Sequence, residues 1–320
     1  MNKYNLIGDI GATNTRLAIV KDGTIGLENI RYLPCAEYNN LQSAINYYLT
    51  ELPQIDINSA CLAIASFEHK ETFKLVNNNW QVSKGDVVSA LNNINVTWVN
   101  DFTAQAIATT MLSEKDIVVI NQGLIQKDRA RLAIGSGTGL GVCGLIPAKN
   151  EWVPVMGEGG HVDFAPNSEL QFEVMQILQK QFGHVSVERI LSGPGIVNLY
   201  RALATINQEK VKFTTPAQIT NAANEAEPDQ LCYETLQLFC QIFGSVAGSA
   251  ALNIGALGGV YITGGVIRNF FELFVNSDFL KSFNDKGRLS GYMENIPVYF
   301  SEARYMGLLG AAQILINNRT

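Results

Sequence analysis

Short apolar runs alternate along this chain with polar stretches rich in glycine, threonine and asparagine. Tyr4–Ile7 and Leu17–Val20 are apolar and flank the segment Gly-Asp-Ile-Gly-Ala-Thr-Asn-Thr-Arg (8–16). That pattern predicts two strands joined by a hairpin turn. The arrangement returns where Leu132–Ile134 and Val142–Leu145 flank Gly-Ser-Gly-Thr-Gly-Leu-Gly (135–141). Arg31–Leu33 reads as a third strand, Cys61–Ala65 as a buried strand, and Trp98-Val99 as the end of another. Helical spacing marks Leu41–Leu52 (Leu41, Ala44, Ile45, Tyr48, Leu49), and Asn100-Asp101 opens a helix running to about Met111. Ile117–Ile120 and Leu132–Ile134 begin a second sheet. Further helices are expected over Leu170–Phe182, Pro194–Ile206 and Pro228–Asn253, a strand over Val260–Thr263, and a terminal helix over Gly307–Ile316.

The first segment joins its strands with Gly, Asp, Thr and Asn and the second with Gly, Ser and Thr, which leave backbone N–H groups and hydroxyls free to point at one guest. Such nests suit phosphate oxygens, and Asp9 inside the first suggests an accompanying metal ion. Two such turns in one chain suggest two related halves gripping a nucleotide. The recurrence is a single long-period repeat, so a solenoid is excluded.

At 320 residues the chain exceeds one typical core, which predicts two domains. Hydrophobic residues make up 47% and charged residues 16%, so asparagine, glutamine and serine fill many solvent-facing positions. A net charge of −6 without a Lys/Arg cluster argues against nucleic acid or an anionic membrane as partner. Thr235–Ile267 is uncharged, but Gly, Ser, Asn and Gln interrupt it and Gly258-Gly259 divides it, which predicts a buried helix and a buried strand instead of a membrane span. The five cysteines are odd in number with no C-x-x-C pair and read as buried free thiols. With no signal peptide apparent, they point to the reducing cytoplasm. Three histidines and no C-x-x-C make a structural zinc site a poor fit.

Taken in order, several segments resemble one family. They are Gly-Asp-Ile-Gly-Ala-Thr-Asn (8–14), Asn-Asp-Phe-Thr-Ala (100–104), Gly-Ser-Gly-Thr-Gly-Leu-Gly (135–141), Gly-Glu-Gly-Gly-His-Val-Asp-Phe-Ala-Pro (157–166), Glu-Arg-Ile-Leu-Ser-Gly-Pro-Gly (188–195) and Gly-Gly-Val-Tyr-Ile-Thr-Gly-Gly-Val (258–266). Any one glycine turn alone is weak, but the ordered set resembles the bacterial glucokinases of the non-ROK type. These are ATP-dependent hexose kinases of the actin/Hsp70/hexokinase superfamily. The resemblance implies an α/β, two-domain, actin/hexokinase-like (ribonuclease H-like) fold with a deep interdomain cleft. It divides the chain into a small domain (1–110 with 302–320) and a large one (111–301), and it implies a homodimer. The implied reaction is ATP-dependent phosphorylation of glucose at its 6-hydroxyl, supplying glycolysis.

The resemblance also assigns residues. On position alone Asp101 reads first as an N-cap; within Asn-Asp-Phe-Thr it becomes the general base for the sugar hydroxyl. Asn77, Asn100, Glu158, His161 and Glu188 join Asp101 around the sugar. A carboxylate can accept hydrogen bonds from two neighbouring hydroxyls, so Glu158 and Glu188 suit a polyol clamp. Glu188 before Arg189 also reads as an ordinary exposed helix pair. His69 and His184 receive no role. For ATP, Gly8, Asp9, Ile10, Gly11, Ala12, Thr13, Gly137, Thr138 and Gly139 form the phosphate cradle, with Gly264-Gly265 beside the adenosine. Asp9 would hold Mg²⁺ through water. The family usually has glycine where this chain has Ala12, and the match thins over residues 66–79, which bears on sugar preference. The alternative function is a catalytically inactive sugar sensor of the same fold. Such repressors usually carry a DNA-binding helix-turn-helix, whereas here the first strand begins within a few residues of Met1. A phosphotransferase or phosphatase acting on acetate or polyphosphate is a third possibility, without need of Glu158, His161 and Glu188.

Overall fold

The computed structural model describes residues 3–11, 13–53, 55–65, 70–75, 80–149 and 151–318. Contacts divide the chain into two units, Met1–Lys115 with Ala303–Thr320, and Asp116–Glu302. The first unit runs β1 (Lys3–Ile10), β2 (Asn14–Lys21), β3 (Leu27–Pro34), α1 (Leu41–Thr50), β4 (Asp56–Ile64), β5 (Thr72–Lys74), β6 (Gln81–Ser83), α2 (Lys84–Ala90), β7 (Asn95–Asn100) and α3 (Asp101–Ala108). The second opens with β8 (Ile117–Asn121), β9 (Arg131–Ser136), β10 (Leu140–Ala148) and β11 (Glu151–Val155). Helices α4 (Glu169–Phe182), α5 (Gly193–Ile206), α6 (Pro216–Ala223) and α7 (Gln230–Ile254) follow. It closes with β12 (Val260–Thr263), α8 (Phe271–Val275), α9 (Phe279–Asn284), α10 (Ser290–Glu294) and β13 (Val298–Ser301). Helix α11 (Met306–Asn317) then returns to the first unit.

The two large sheets repeat one plan. The first has the order β3-β2-β1-β4-β7, and the second the order β11-β10-β9-β12-β13-β8. In each, an antiparallel hairpin (β1–β2, β9–β10) is followed by strands parallel to its first member. Register aligns Ile10 with Ile64 and Ile64 with Asn100 in the first sheet, and Gly135 with Thr263 in the second. The carboxyl ends of the parallel strands therefore share one edge in each unit, where α/β proteins commonly bind ligands.

The strands of the first sheet read as continuous apolar runs because both faces are covered. Leu6, Leu17 and Leu62 face one side, with α1 supplying Leu41, Ala44, Ile45 and Tyr48. Their neighbours Ile7, Ala18 and Ala63 face the other, with Ala104 of α3 and Leu308, Ala311 and Ala312 of α11. In the second unit, Leu132, Ile134, Val260 and Ile262 pack with Phe239 and Phe243 of α7. The 25-residue α7 is long and apolar enough to cross a membrane, but its apolar side chains are packed inside this core. Asp229 caps its start by accepting from the Cys232 N–H at 3.2 Å, and Gly255 ends it with φ +62°.

Both ends of α3 differ from the sequence reading. Asn100, not Asp101, is the N-cap of α3: its side-chain oxygen accepts from the N–H groups of Phe102 and Thr103 at 2.9 and 3.1 Å. The same helix stops at Ala108, short of Met111. There the hydroxyls of Thr109 and Thr110 donate to the Ala106 and Ile107 carbonyls at 2.7 Å, closing the final turn locally.

Candidate active site

In the first unit, the strand edge carries Asp9 and Ile10 on β1 and Asn100-Asp101 where β7 passes into α3. Asp9 lies opposite Arg16 in the hairpin register, and the Arg16 Nη1 donates to Asp9 Oδ2 at 2.8 Å. The Tyr32 ring sits 5.2 Å from the Arg16 guanidinium and steadies it from the far side. Asp9 is only 15% exposed, and that burial pushes its carboxyl above the ordinary carboxylate value despite the opposing pull of Arg16. A Cβ on Gly307 would come within 2.8 Å of the Asp9 Cγ, so the start of α11 approaches the carboxylate because that position is glycine. A helix N-terminus favours the ionised form.

Gly8 belongs to the strand interior, paired with Leu17 and Leu62, and a Cβ there would meet Leu62 at 2.7 Å. The turn itself is closed by Gly11 N–H donating to the Asn14 carbonyl at 3.2 Å. Thr13 is exposed at its tip, and its carbonyl accepts from the Cys35 N–H at 2.9 Å. Asp101 occupies the first position of α3, and its Oδ1 accepts from the Phe102 N–H at 2.8 Å. Ala12 and Asn77 lie outside the described residues, as do 66–69 and 76–79.

In the second unit, the β9–β10 turn is a docking point for two other segments. Gly137 N–H donates to the Gly139 carbonyl at 2.8 Å, and Thr138 is exposed at the tip. Residues 188–193 are held against the turn by three hydrogen bonds. Ser136 Oγ donates to the Leu191 carbonyl at 2.9 Å, and Gly193 N–H to the Gly137 carbonyl at 2.9 Å. Leu140 N–H donates to Glu188 Oε2, also at 2.9 Å. Gly264, with φ +92°, lies so close to the Ser136 carbonyl that any side chain would collide with it. Gly265 follows it on the exposed side.

His161 is brought to Glu188 by a short antiparallel pairing. Asp163 bridges Ser186, Phe164 N–H donates to the Val185 carbonyl at 3.0 Å, and Val187 N–H to the Val162 carbonyl at 3.0 Å. Continuing that register sets His161 opposite Glu188, with Nε2 and Oε1 3.9 Å apart. Glu158 is exposed one short turn earlier, its carbonyl accepting from the His161 N–H at 2.9 Å. His184 pairs instead with Asp163 at 3.3 Å on the surface. Glu188, His161 and the 137–139 turn therefore form one constellation, with Glu158 attached through the backbone.

Comparison with known proteins gives the family. A family model described as Glucokinase matches residues 6–318. The chain belongs to the glucokinase family. Among its relatives, the glucokinase of Hahella chejuensis is 47% identical over 315 residues, covering 98% of both chains. That of Marinobacter nauticus is 43% identical over 315 residues, again covering 98% of each. The crystal structure of a glucokinase from an Antarctic psychrotroph superposes with a TM-score of 0.86 at 34% identity, covering 98% of this chain and 99% of that one. The fold is accordingly the actin-like fold of the glucokinase-family sugar kinases.

Two participants escaped the sequence reading. Arg16 ends the first glycine-threonine motif, and the hairpin register that sets it opposite Asp9 is the signal that identifies it. The Leu140 amide is a backbone group, so no residue type announces it.

Proposed function

We infer that this protein phosphorylates glucose at the 6-hydroxyl using ATP. The observation that carries this is the family match over residues 6–318, with relatives aligned along 98% of their length. A catalytically silent sensor is not favoured, since the acidic residue required of a base stands at Asp101.

Phosphoryl transfer needs alignment and charge neutralisation more than covalent help. Asp101 takes the proton of the attacking hydroxyl. The Phe102 N–H, donating to Asp101 Oδ1 at 2.8 Å, fixes the carboxylate at the start of α3. Asn100 caps that helix and so fixes where Asp101 stands, beside its role toward the sugar. Glu158, His161 and Glu188 hold the ring hydroxyls. The gap of 3.9 Å between His161 Nε2 and Glu188 Oε1 is one that a hydroxyl can bridge, lying ~2.8 Å from each. The two glycine turns and Gly264-Gly265 hold the nucleotide, with the hydroxyls of Thr13 and Thr138 beside the phosphates.

Mg²⁺ accompanies the nucleotide in this reading. Among the described residues no cluster of three acidic, histidine or cysteine side chains could hold a metal. That donor set fits an ion that keeps its waters and is carried by phosphates with one carboxylate nearby. Asp9, with one oxygen bonded to Arg16, is that carboxylate. The ion supplies charge neutralisation on the phosphates.

The five cysteines are buried free thiols, which supports a cytoplasmic setting, and the family resemblance supports a homodimer. Light scattering on the purified protein tests the latter.

The deciding experiment is ADP release from MgATP across a panel of hexoses, with Asp101→Ala as comparator. Asp101→Ala should lower glucose-dependent turnover roughly 10²–10⁴-fold while glucose still binds. Near-normal turnover in that variant would remove Asp101 from the role of base.

A further inference from the structure

The second glycine turn belongs, by its sequence, to the nucleotide. Its geometry gives it another duty. A Cβ on Gly139 would collide with Glu188 Oε2 and lie 3.2 Å from the carboxylate carbon. The Glu188 carboxylate therefore lies directly over Gly139, and the next amide, Leu140 N–H, donates to the same oxygen at 2.9 Å. Gly139 has no positive φ to explain a glycine at this position, whereas Gly264 does. The Glu188 backbone is held as well, because its carbonyl accepts from Ser192 Oγ at 2.8 Å and Ser192 caps α5. With both ends fixed, Oε2 is committed to the turn and Oε1 is turned toward His161.

We propose that Gly139 and the Leu140 amide are the seat of the sugar clamp: they orient Glu188 so that one oxygen faces the sugar. The inference rests on Glu188 being a sugar ligand, as read above. It makes Gly139 a positioning residue for glucose in addition to a neighbour of phosphate. Of the turn's amides, Gly137 and Leu140 are already engaged, which leaves Thr138 and Gly139 to donate to phosphate. One four-residue turn then touches both substrates. Loading of the sugar and loading of the nucleotide are linked through it, and any such coupling is reciprocal.

The test is glucose binding by isothermal titration calorimetry to the nucleotide-free full chain. The proteins are wild type, Gly139→Ala, Glu188→Gln and the double variant. Displacing a charge-assisted acceptor should weaken glucose binding roughly 10- to 100-fold in Gly139→Ala. Because both changes act through one carboxylate, the double variant should bind no more weakly than Glu188→Gln alone. Wild-type glucose affinity in Gly139→Ala, with only the KM for ATP raised, overturns the proposal, and so does full additivity in the double variant. Unchanged affinity in Glu188→Gln would instead remove Glu188 from the sugar site and sink the underlying reading.

A second measurement does not depend on Gly139→Ala folding. In Glu188→Ala, hydrogen–deuterium exchange at the Leu140 amide should rise above that of wild type. Equal exchange would show that the carboxylate does not hold the turn.

Discussion

The β1–β2 and β9–β10 hairpins occupy the same station in their sheets, yet they handle charge in opposite ways. The first carries its own acid and its own base in register, Asp9 against Arg16, with Tyr32 and the start of α11 packed around them. The second has no charged side chain in its turn and borrows a carboxylate, Glu188, from fifty residues further along. An acid paired within its own hairpin helps hold that hairpin together with one oxygen, and only its other oxygen is left to face a hydrated ion. An acid brought in and left with an oxygen facing a histidine is available for a ligand. Similar topology therefore does not imply similar duty for the acidic residues at its edge.

The comparison breaks most readily at Arg16. Arg16→Met leaves the Asp9 carboxylate largely desolvated without its partner, which should lower unfolding stability by about 2–3 kcal/mol in urea. Glu188→Gln, removing charge from the second turn, should cost under about 1 kcal/mol in the same experiment, because Gln still offers an acceptor to Leu140. Equal losses would mean that both acids are structural.

The glycines offer a smaller contrast. Gly264→Ala forces a side chain onto the Ser136 backbone at φ +92° and should cost about 2–3 kcal/mol. Gly8→Ala meets the side chains of Leu62, Ile10 and Leu17, which can shift, and should cost about 1–2 kcal/mol. Thermal unfolding of the two variants ranks them, and the reverse order would mean that the first hairpin is the less adaptable.

The smallest effect tests whether the larger unit also keeps a structural acid. Lys212 donates to Asp229 at 2.8 Å and holds that carboxyl below its ordinary value. A depressed folded-state value stabilises the protein above the unfolded-state value, and the contribution is lost as pH falls through the folded one. Asp229→Asn keeps a capping side chain, so its deficit relative to wild type isolates the charge. The deficit should be complete near pH 7 and close as the solution is acidified below the usual aspartate range. A deficit independent of pH would assign Asp229 to capping alone.

Much of this was legible in the chain. Short continuous apolar runs bounded by polar turns announced β1, β2 and β4, and the spacing of Leu41, Ala44, Ile45 and Tyr48 announced α1. What stayed hidden was short or non-local. Val298–Ser301 is four fully buried residues with no alternation to read, and α8, α9 and α10 are only five or six residues long. Such lengths do not complete two helical turns, so their periodicity carries no signal. Asn100 and Asp101 are both good caps by residue type, and only geometry separates them. The seat of Glu188 joins residues 48 positions apart, through a backbone amide and a missing side chain. Neither group is a residue type that a motif could flag.

The return of α11 to the first unit has a consequence for biosynthesis. Ile7, Ala18, Cys61 and Ala63 share a core with Leu308, Ala311 and Ala312. On the ribosome, that face of the first sheet must wait covered only by α3 while residues 116–302 emerge. Residues 116–302 are contiguous and can collapse as soon as they are clear of the exit tunnel. The unit that begins the chain is thus the last to be completed, and its apolar face is the one a nascent-chain chaperone would meet.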